Sequence, residues 1–285
     1  SGIPIHMMSE GRSDDFKAHF LGTHFFNPPR YLRLLEIIPT KDTKKEVIDF
    51  FMLFGDLHLG KRTVLCKDSP AFIANRVGVY AMSKIYQLTE ELGLDINTVD
   101  KLTGPAMGRP NTGTFRLSDL VGLDTAIKVI EGIQQNCPQD EQIHKLTVPA
   151  YLKFLVDNKF LGNKTNKGFY FKSDQKDSDG KSIIMGLNLK SNEYEVPQKV
   201  KLDSLSVSKQ TDELGPRLKA IIKMTDAGAQ LITRSLAGLF AYVSNRIPEI
   251  SDTIYSIDDA LKAGFAWDLG PFEYWDAIGL EKGIE

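Results

Sequence analysis

The sequence contains Gly22-Thr-His-Phe-Phe-Asn-Pro-Pro29, followed by Leu32-Arg-Leu-Leu-Glu-Ile-Ile38. Both apolar runs have the length of a β-strand, and the Asn-Pro-Pro segment allows the chain to turn between them. If the two strands are neighbours in a sheet, the side chains of His24 and Glu36 can meet near one sheet edge. A glutamate within a run of leucine and isoleucine is costly to bury unless it is paired. The sequence therefore predicts a His24–Glu36 pair.

The chemistry of such a pair is that of a general base. A carboxylate that accepts a hydrogen bond from one ring nitrogen fixes the tautomer of the imidazole, and the other ring nitrogen can then take a proton near neutral pH. An isolated histidine is more often a structural residue with a satisfied hydrogen bond. Because Glu36 is placed to meet His24, the sequence favours the catalytic interpretation.

Residues 1–67 have the pattern of an α/β unit. The apolar spacing predicts a helix within 41–60, and a third short strand is predicted over 62–67. The apolar pattern begins at once with Ile3 and Ile5. We therefore expect the chain to open inside a β-like segment, with the first strands of the sheet upstream of it.

From residue 68 onward the pattern becomes helical. Ser69 and Pro70 are typical of an N-cap and a first helical turn, and they predict a long helix over 71–92 that stops at Gly93. Shorter helices are expected over 95–102, 124–132 and 148–159.

Residues 161–205 change character. Phe169-Tyr-Phe171 and the apolar run 182–189 resemble strands, with Asp177-Ser-Asp-Gly180 as the turn between them. The segment is predicted to be a small β element that links two helical units. Residues 206–285 again have a helical pattern.

An internal repeat relates the two helical units. The sequence Gly113-Thr-Phe-Arg-Leu-Ser-Asp-Leu-Val-Gly-Leu123 matches Gly270-Pro-Phe-Glu-Tyr-Trp-Asp-Ala-Ile-Gly-Leu280 at an offset of 270 − 113 = 157. Upstream of this string, an offset of 234 − 76 = 158 pairs Arg76 with Arg234. The repeat predicts two copies of one helical module packed face to face. Chance likeness between two helices is the alternative.

The composition narrows the function classes. The 285 residues carry a formal net charge of −2 and no basic stripe, which disfavours nucleic acid and anionic membranes as partners. No apolar run approaches the roughly 20 residues needed to span a bilayer. Cys66 and Cys137 lack metal-ligand spacing and fit a reducing compartment better than a disulfide scaffold. We therefore expect a cytoplasmic protein without a metal site.

Several strings together resemble the signatures of the 3-hydroxyacyl-CoA dehydrogenases of fatty-acid β-oxidation. Residues 22–29 with Leu34-Leu-Glu-Ile-Ile38 are similar to one signature, and Ser69-Pro-Ala-Phe-Ile-Ala-Asn-Arg76 is similar to the next. Lys164-Thr-Asn-Lys-Gly-Phe-Tyr170 resembles the family's Lys-Thr-Gly-Lys-Gly-Phe-Tyr string, and Ser1-Gly-Ile resembles the tail of its Ser-Asn-Thr-Ser motif. Together these strings cover nearly the whole chain in the family's order.

The resemblance implies a role for each matching residue. His24 would take the proton from the 3-hydroxyl group while C3 gives a hydride to NAD, and Glu36 would orient His24. Asn75 would hydrogen-bond the substrate near the reacting carbon, and Ser1 would do the same. Asn27 is expected to shape the turn that follows it rather than to touch the substrate.

The resemblance also implies an architecture that is mainly α with an α/β remnant. A partial Rossmann sheet (1–67) would precede two repeated helical domains of the family's C-terminal type (68–160 and 206–285), joined by a linker with a small β element (161–205). Thr233 stands where the first copy has Asn75, so the second copy is expected to be degenerate and to replace a dimer partner in a pseudo-dimer. This organisation resembles long bifunctional β-oxidation proteins with a fused enoyl-CoA hydratase, and it implies an acyl-CoA substrate.

One feature of the family is missing from the sequence. No window follows the pattern G-x-G-x-x-G, the turn that holds a dinucleotide pyrophosphate at a helix N-terminus. We therefore expect the NAD site to lie mostly outside this chain, and turnover by this chain alone to be negligible. Two alternatives stay open. One is a non-catalytic helical assembly module of the same superfamily. The other is a relative that acts on another 2- or 3-hydroxy acid, although such relatives tend to have a lysine where this chain has Asn75.

Overall fold

A computed structural model describes residues 2–279 and residue 281. Its first part contains α1 (Ile5–Met8), α2 (Asp14–Ala18), β1 (Leu21–Phe25), β2 (Leu34–Pro39), α3 (Lys45–Leu57) and β3 (Arg62–Leu65). The three strands form one sheet in the order β1-β2-β3. Strands β1 and β2 run antiparallel, whereas β2 and β3 run parallel. The two strands and the turn predicted around His24 and Glu36 are therefore present, and the two residues face each other across the strand pair.

The start of the chain differs from its expected β-like conformation. Ile5 and His6 begin the short helix α1, and their backbone N–H groups donate to the carboxylate of Asp68 at 2.7 and 2.8 Å. A carboxylate at the N-terminus of a helix accepts from N–H groups that have no partner inside the helix. The expectation of a strand at Ile3 and Ile5 was wrong because this capping contact comes from a residue far along the sequence.

The middle of the chain is helical, with short 3-10 turns between its helices. Its helices are α4 (Ala74–Leu92), α5 (Ile96–Thr103), α6 (Phe115–Val121), α7 (Leu123–Asn136) and α8 (Ala150–Asp157). Helix α4 ends at Gly93, which adopts the left-handed conformation expected of a helix C-terminus. Helix α6 was not among the predicted helices, because its seven residues are too few to show a helical period.

Helix α4 begins later than the sequence indicated. Ala71 and Phe72 have φ angles of 64° and 55°, which lie outside the right-handed helical region. Ser69 is therefore not the N-cap, and its hydroxyl group is buried without a hydrogen-bond partner. The first N–H groups of α4 donate instead to the side chain of Glu36, which belongs to strand β2. The cap comes from another element, so the local sequence did not reveal it.

A second sheet follows the helical part. It is antiparallel and consists of β4 (Tyr170–Lys176), β5 (Ser182–Leu187) and β6 (Tyr194–Glu195). The predicted hairpin is present, with its turn at the expected position between β4 and β5. Strand β6 was not predicted, because two residues are too few to show strand alternation.

The C-terminal helices pack onto the preceding elements. They are α9 (Asp203–Gln210), α10 (Leu214–Ile221), α11 (Ala227–Asn245), α12 (Ile254–Phe265) and α13 (Pro271–Ile278). Helix α11 packs along α4, and α12 contacts α4, β2 and β3. One apolar core extends from the first sheet through the middle helices to the C-terminal helices, and it includes Leu34 on β2, Val77 on α4 and Leu236 on α11. The C-terminal helices therefore cover the place where strand β2 meets the start of α4.

No helix in the described part of the chain is both long and apolar enough to cross a membrane. Helix α3 has an outer face that is apolar but exposed, with Phe50, Leu53 and Leu57 each more than half exposed. The helical spacing predicted for α3 is thus present. The face it predicts to be buried is not covered by any of the residues described.

Candidate active site

The His24–Glu36 pair exists. The two residues are direct neighbours across the antiparallel strands β1 and β2, where opposing side chains lie on the same face of the sheet. The Nδ1–H group of His24 donates to Oε2 of Glu36 at 2.7 Å. The Glu36 side chain is fully buried, and that of His24 is 24% exposed. Because the carboxylate occupies Nδ1, Nε2 is the ring nitrogen that remains for a ligand.

Glu36 also holds the start of helix α4. Its second carboxylate oxygen, Oε1, accepts hydrogen bonds from the backbone N–H groups of Ile73 at 3.1 Å and Ala74 at 2.9 Å. The positive end of the helix dipole stabilises a negative charge at this position. A single buried carboxylate therefore fixes the ring of His24 and the N-terminus of α4 relative to each other.

Asn75 follows this contact directly, as the second residue of α4. It is partly buried and lines the same cavity as His24. The structure thus brings His24, Glu36 and Asn75 together, and their catalytic and substrate-binding roles stay predictions. Ser1, the fourth predicted site residue, lies outside the described residues.

His24 and Asn75 open onto a cleft with a volume of about 810 Å³. Its walls come from the β1–β2 turn, from α4, α6 and α7, and from the end of α12. Most of the lining side chains are apolar, which suits a ligand with a long hydrocarbon portion. Asn27, expected only to shape the turn, also lines this cleft.

One wall of the cleft is aromatic and comes partly from the C-terminal helices. The ring of Phe26 lies 5.4 Å from that of His24 and 5.6 Å from that of Phe265, and Trp267 lies beyond at 6.1 Å from Phe265. Phe265 reaches this position because Gly78 leaves room on α4: a Cβ atom there would stand 2.3 Å from the Phe265 ring. The sequence does not predict Phe265 and Trp267 as site residues, since nothing in the local pattern links residues so far apart.

The buried cysteine beside the pair is not a reactive group. Burial, and then the nearby carboxylate of Glu36, raise the pKa of the Cys66 thiol, so it stays protonated and is a poor nucleophile. Within residues 2–279 and 281, no group of three or more histidine, cysteine, aspartate or glutamate side chains is arranged to hold a metal ion.

A buried ion-pair network joins the two helical units behind the site. The guanidinium group of Arg76 on α4 donates to Asp140, Glu249 and the hydroxyl of Tyr242, each at 2.8 Å. Arg76 and Asp140 are fully buried. The ring of Tyr242 on α11 stacks on that of Tyr80 on α4, with their centroids 3.9 Å apart. This network and stack hold α11 against the helix that carries Asn75.

Comparison with known sequences shows the family to which the chain belongs. Residues 1–69 match the NAD binding domain of 3-hydroxyacyl-CoA dehydrogenase, and residues 72–172 match the C-terminal domain of the same enzyme. A probable 3-hydroxyacyl-CoA dehydrogenase from Bacillus subtilis (strain 168) is 42% identical over 285 residues. The chain belongs to the 3-hydroxyacyl-CoA dehydrogenase family. The family predicted from the sequence is thereby confirmed.

Other members of the dehydrogenase family extend the comparison. The match to the Bacillus subtilis protein covers 100% of this chain and 35% of that protein. A putative fatty acid oxidation complex trifunctional enzyme from Rickettsia felis is 34% identical, over 96% of this chain and 36% of its own length. The chain therefore spans about a third of the length of these two relatives. The crystal structure of 3-hydroxybutyryl-CoA dehydrogenase from Escherichia coli K12 aligns with a TM-score of 0.71 and 21% identity, over 99% of this chain and 68% of that one.

The family matches and the aligned crystal structure test the predicted fold class. The dehydrogenase fold, with its NAD-binding and helical C-terminal parts, is confirmed. The division at residue 67 lies two residues from the end of the match to the NAD binding domain.

Proposed function

We propose that this chain supplies the proton-transfer centre of an NAD-dependent (S)-3-hydroxyacyl-CoA dehydrogenase, which oxidises 3-hydroxyacyl-CoA to 3-ketoacyl-CoA. The observation that carries the proposal is the 2.7 Å contact between His24 Nδ1 and the buried Glu36, at the wall of an apolar cleft that Asn75 also lines. Capping α4 explains one oxygen of the buried Glu36, but a non-catalytic assembly module has no need to direct the other oxygen at the ring of a partly exposed histidine.

The proton step follows from the tautomer. With its proton on Nδ1 and bonded to Glu36, His24 offers the lone pair of Nε2 to the 3-hydroxyl group of the substrate. As the O–H proton moves to Nε2, the electron pair of the O–H bond forms the new C3=O double bond, and the hydrogen on C3 leaves as a hydride. The imidazolium that forms is stabilised by the Glu36 carboxylate. Asn75 lines the same cleft, and its side-chain amide would donate to the oxygen on C3.

NAD supplies the hydride acceptor when it is bound. The described residues fit the proton transfer but not the binding of the dinucleotide. The proton acceptor faces the cleft, but no strand-to-helix turn with the G-x-G-x-x-G pattern is present to hold a pyrophosphate. The sheet of residues 21–65 has a single parallel strand pair. We therefore propose that the dinucleotide site lies mostly outside this chain.

Titration of NADH into the purified chain tests this proposal. We expect no saturable binding, because the backbone N–H groups of a glycine-rich turn supply much of the affinity for the pyrophosphate. Fluorescence of the nicotinamide ring reports the binding, and a dehydrogenase with a complete nucleotide-binding domain serves as the positive control. Tight, saturable binding of NADH would contradict the proposed location of the site.

We further propose that the two helical units are copies of one module and act as a pseudo-dimer, with the division at 68–160, 161–205 and 206–285. Helices α5 and α12 start 158 residues apart, at Ile96 and Ile254. Each is capped by the side chain of the residue before it, Asp95 and Thr253, which accept from the N–H groups of Thr98 and Ser256.

The string shared by the two units also has matching surroundings. Asp100 accepts from the backbone N–H of Phe115, and Asp258 accepts from that of Phe272. Burial raises the pKa of Asp100 to about 7 and that of Asp258 to about 6. The glycines that end α6 and α13 share an unusual backbone, with φ near 100° in both. These parallels support duplication more strongly than the sequence string alone.

The fatty-acid context is part of the same proposal. The Rickettsia felis relative carries the name of a fatty acid oxidation complex trifunctional enzyme, and a fused or associated enoyl-CoA hydratase would make the 3-hydroxyacyl thioester that this site oxidises. The apolar lining of the cleft supports an acyl substrate.

An assay of the natural protein tests the proposed reaction. With NAD and (S)-3-hydroxybutyryl-CoA we expect NADH to form, measured by its absorbance at roughly 340 nm. The (S) isomer should be the substrate because His24 and Asn75 fix one orientation of the 3-hydroxyl group. The (R) isomer is the matched control, and we expect it to give at least about 100-fold less product, since a misplaced hydroxyl costs the aligned proton transfer. Equal rates with both isomers, or none with either, would overturn the proposal in favour of an assembly role.

A further inference from the structure

The cleft contains a charge that the proposed reaction does not use. Among the described residues that line it, His24 takes part in the proposed proton transfer, and Arg109 is the one side chain with a permanent charge. The remaining lining residues are apolar or carry neutral polar groups. A cation on an otherwise apolar wall is costly to place, so it calls for a partner.

Arg109 has no direct ion-pair partner among the described residues, and the nearby carboxylate of Asp268 lies beside Gly108. Arg109 takes part in none of the ion pairs within 4.0 Å that the described residues form, and its buried Nε atom has no hydrogen-bond partner. Its guanidinium carbon lies 3.8 Å from the ring centroid of Trp267 and 5.7 Å from that of Tyr274. Stacking on aromatic faces stabilises the cation, and the Tyr274 hydroxyl accepts one hydrogen bond from it, which leaves other in-plane N–H donors for a ligand. Arg76, by contrast, is buried against carboxylates.

The position of Arg109 is fixed by the junction between the two helical units. The backbone N–H of Asp268 donates to the carbonyl oxygen of Gly108 at 2.8 Å, which ties the loop before Arg109 to the loop that carries Trp267. Gly108 has a φ angle of 66°, and a Cβ atom there would stand 2.3 Å from Leu214. The guanidinium group is thus held in place by both units.

We propose that Arg109 recognises an anionic group of the acyl-CoA ligand through charge-assisted hydrogen bonds. Two groups of such a ligand have this chemistry: a carboxylate at the far end of the acyl chain, and a phosphate of the coenzyme. The planar fork of a guanidinium group binds either of them in a bidentate manner. The inference rests on the proposed function, because it assumes that the cleft holds an acyl-CoA thioester.

Binding of unreactive thioesters to the full chain tests this role without NAD. The probes are hexanoyl-CoA, adipyl-CoA, which adds a terminal carboxylate, and hexanoyl-pantetheine, which lacks the phosphates. The variants are Arg109→Met, which keeps the unbranched apolar stem without the charge, and Arg109→Lys, which keeps the charge without the fork. Arg116→Met is the matched control, because Arg116 also stacks on a tyrosine, 4.0 Å from the ring of Tyr170, but lies outside the cleft.

A selective loss of affinity is the expected result. If the anion is the terminal carboxylate, Arg109→Met lowers the affinity for adipyl-CoA by about 10-fold or more and leaves the affinity for hexanoyl-CoA unchanged. If the anion is a phosphate, the affinity for both CoA thioesters falls by about 10-fold or more, while the affinity for hexanoyl-pantetheine is unchanged. Arg109→Lys should retain part of the affinity in either case.

Two results would overturn the role of Arg109. One is unchanged binding of all three probes by Arg109→Met. The other is an equal loss for all three, including hexanoyl-pantetheine, since this would mean that the side chain only supports the packing of Trp267. If the unaltered chain binds none of the thioesters, the proposed function itself fails, and this outcome is distinct from the other two.

Discussion

We expect the His24→Gln variant of the natural protein to lose about 10²- to 10⁴-fold in kcat for oxidation of (S)-3-hydroxybutyryl-CoA. Glutamine is similar in length and can still donate to Glu36, but its amide cannot take the hydroxyl proton. Because the walls of the cleft are unchanged, KM should move by less than about 10-fold, as for a group that acts mainly in the transition state. Steady-state kinetics at saturating NAD measure both constants.

A matched variant separates this effect from general damage. His19→Gln removes a histidine that lies near His24 in sequence but is half exposed and bonded to the carbonyl oxygen of Asp15. We expect it to keep the kcat of the unaltered protein. A His24→Gln variant that retains more than about a tenth of the original kcat would show that His24 is not the general base.

The second large effect concerns stability. Arg76→Met should lower the free energy of unfolding by about 3 kcal/mol, because it removes the nearer cation of a fully buried ion pair and leaves the Asp140 carboxylate only Arg246, 3.5 Å away, as a charged partner. The loss should appear as a shift of the urea midpoint. Since Arg76 joins α4 to Tyr242 on α11 and to Glu249, its removal should also loosen the packing between the two helical units.

Arg234→Met is the control for this prediction, because the proposed repeat pairs Arg234 with Arg76. Its partner is Glu91, and the two side chains are 45% and 39% exposed. An exposed pair contributes about 0–1 kcal/mol, so the urea midpoint should barely move. Equal losses for the two variants would contradict the proposed role of the buried network.

Light scattering on the unaltered chain at several concentrations tests the proposed pseudo-dimer. It should give the mass of a monomer at every concentration, and a stable dimer through α4 would contradict the pseudo-dimer.

The sequence predicted those parts of the fold that depend on local pattern. The strands around His24 and Glu36, helix α3, the end of α4 at Gly93 and the hairpin of β4 and β5 all carry their own periodicity or turn residues. The start of α4 was placed wrongly because its cap is Glu36, which lies 37 or 38 residues away from the N–H groups it accepts. The start of α1 was missed for the same reason, since Asp68 caps it. Caps that come from another element leave no local signal.

The site was predictable to a similar depth. His24, Glu36 and Asn75 could be named because a buried carboxylate needs a partner and because their strings resemble the dehydrogenase family. Arg109, Phe265 and Trp267 could not be named, since they meet only when the C-terminal helices fold onto the first helical unit. The second unit thus contributes to the cleft as well as to the packing. Thr233, which the proposed repeat pairs with Asn75, is not among the residues that line the cleft.

The remaining alternative among hydroxy-acid dehydrogenases depends on the residue next to the reacting carbon. The sequence resemblance implies a lysine in place of Asn75 in relatives that act on other 2- or 3-hydroxy acids. An amide can donate to the oxygen on C3 without adding a charge beside the imidazolium that forms at His24. Asn75 at the start of α4 therefore favours an acyl thioester over a small charged hydroxy acid.

The most direct test of the central claim is a crystal structure of the natural protein with acetoacetyl-CoA, the ketone product of the proposed reaction. If His24 is the general base, the C3 keto oxygen lies within about 2.6–3.2 Å of His24 Nε2, with Nδ1 still bonded to Glu36. A keto group bound away from His24, or an imidazole that has turned from Glu36 on binding, would contradict the claim that this pair moves the proton.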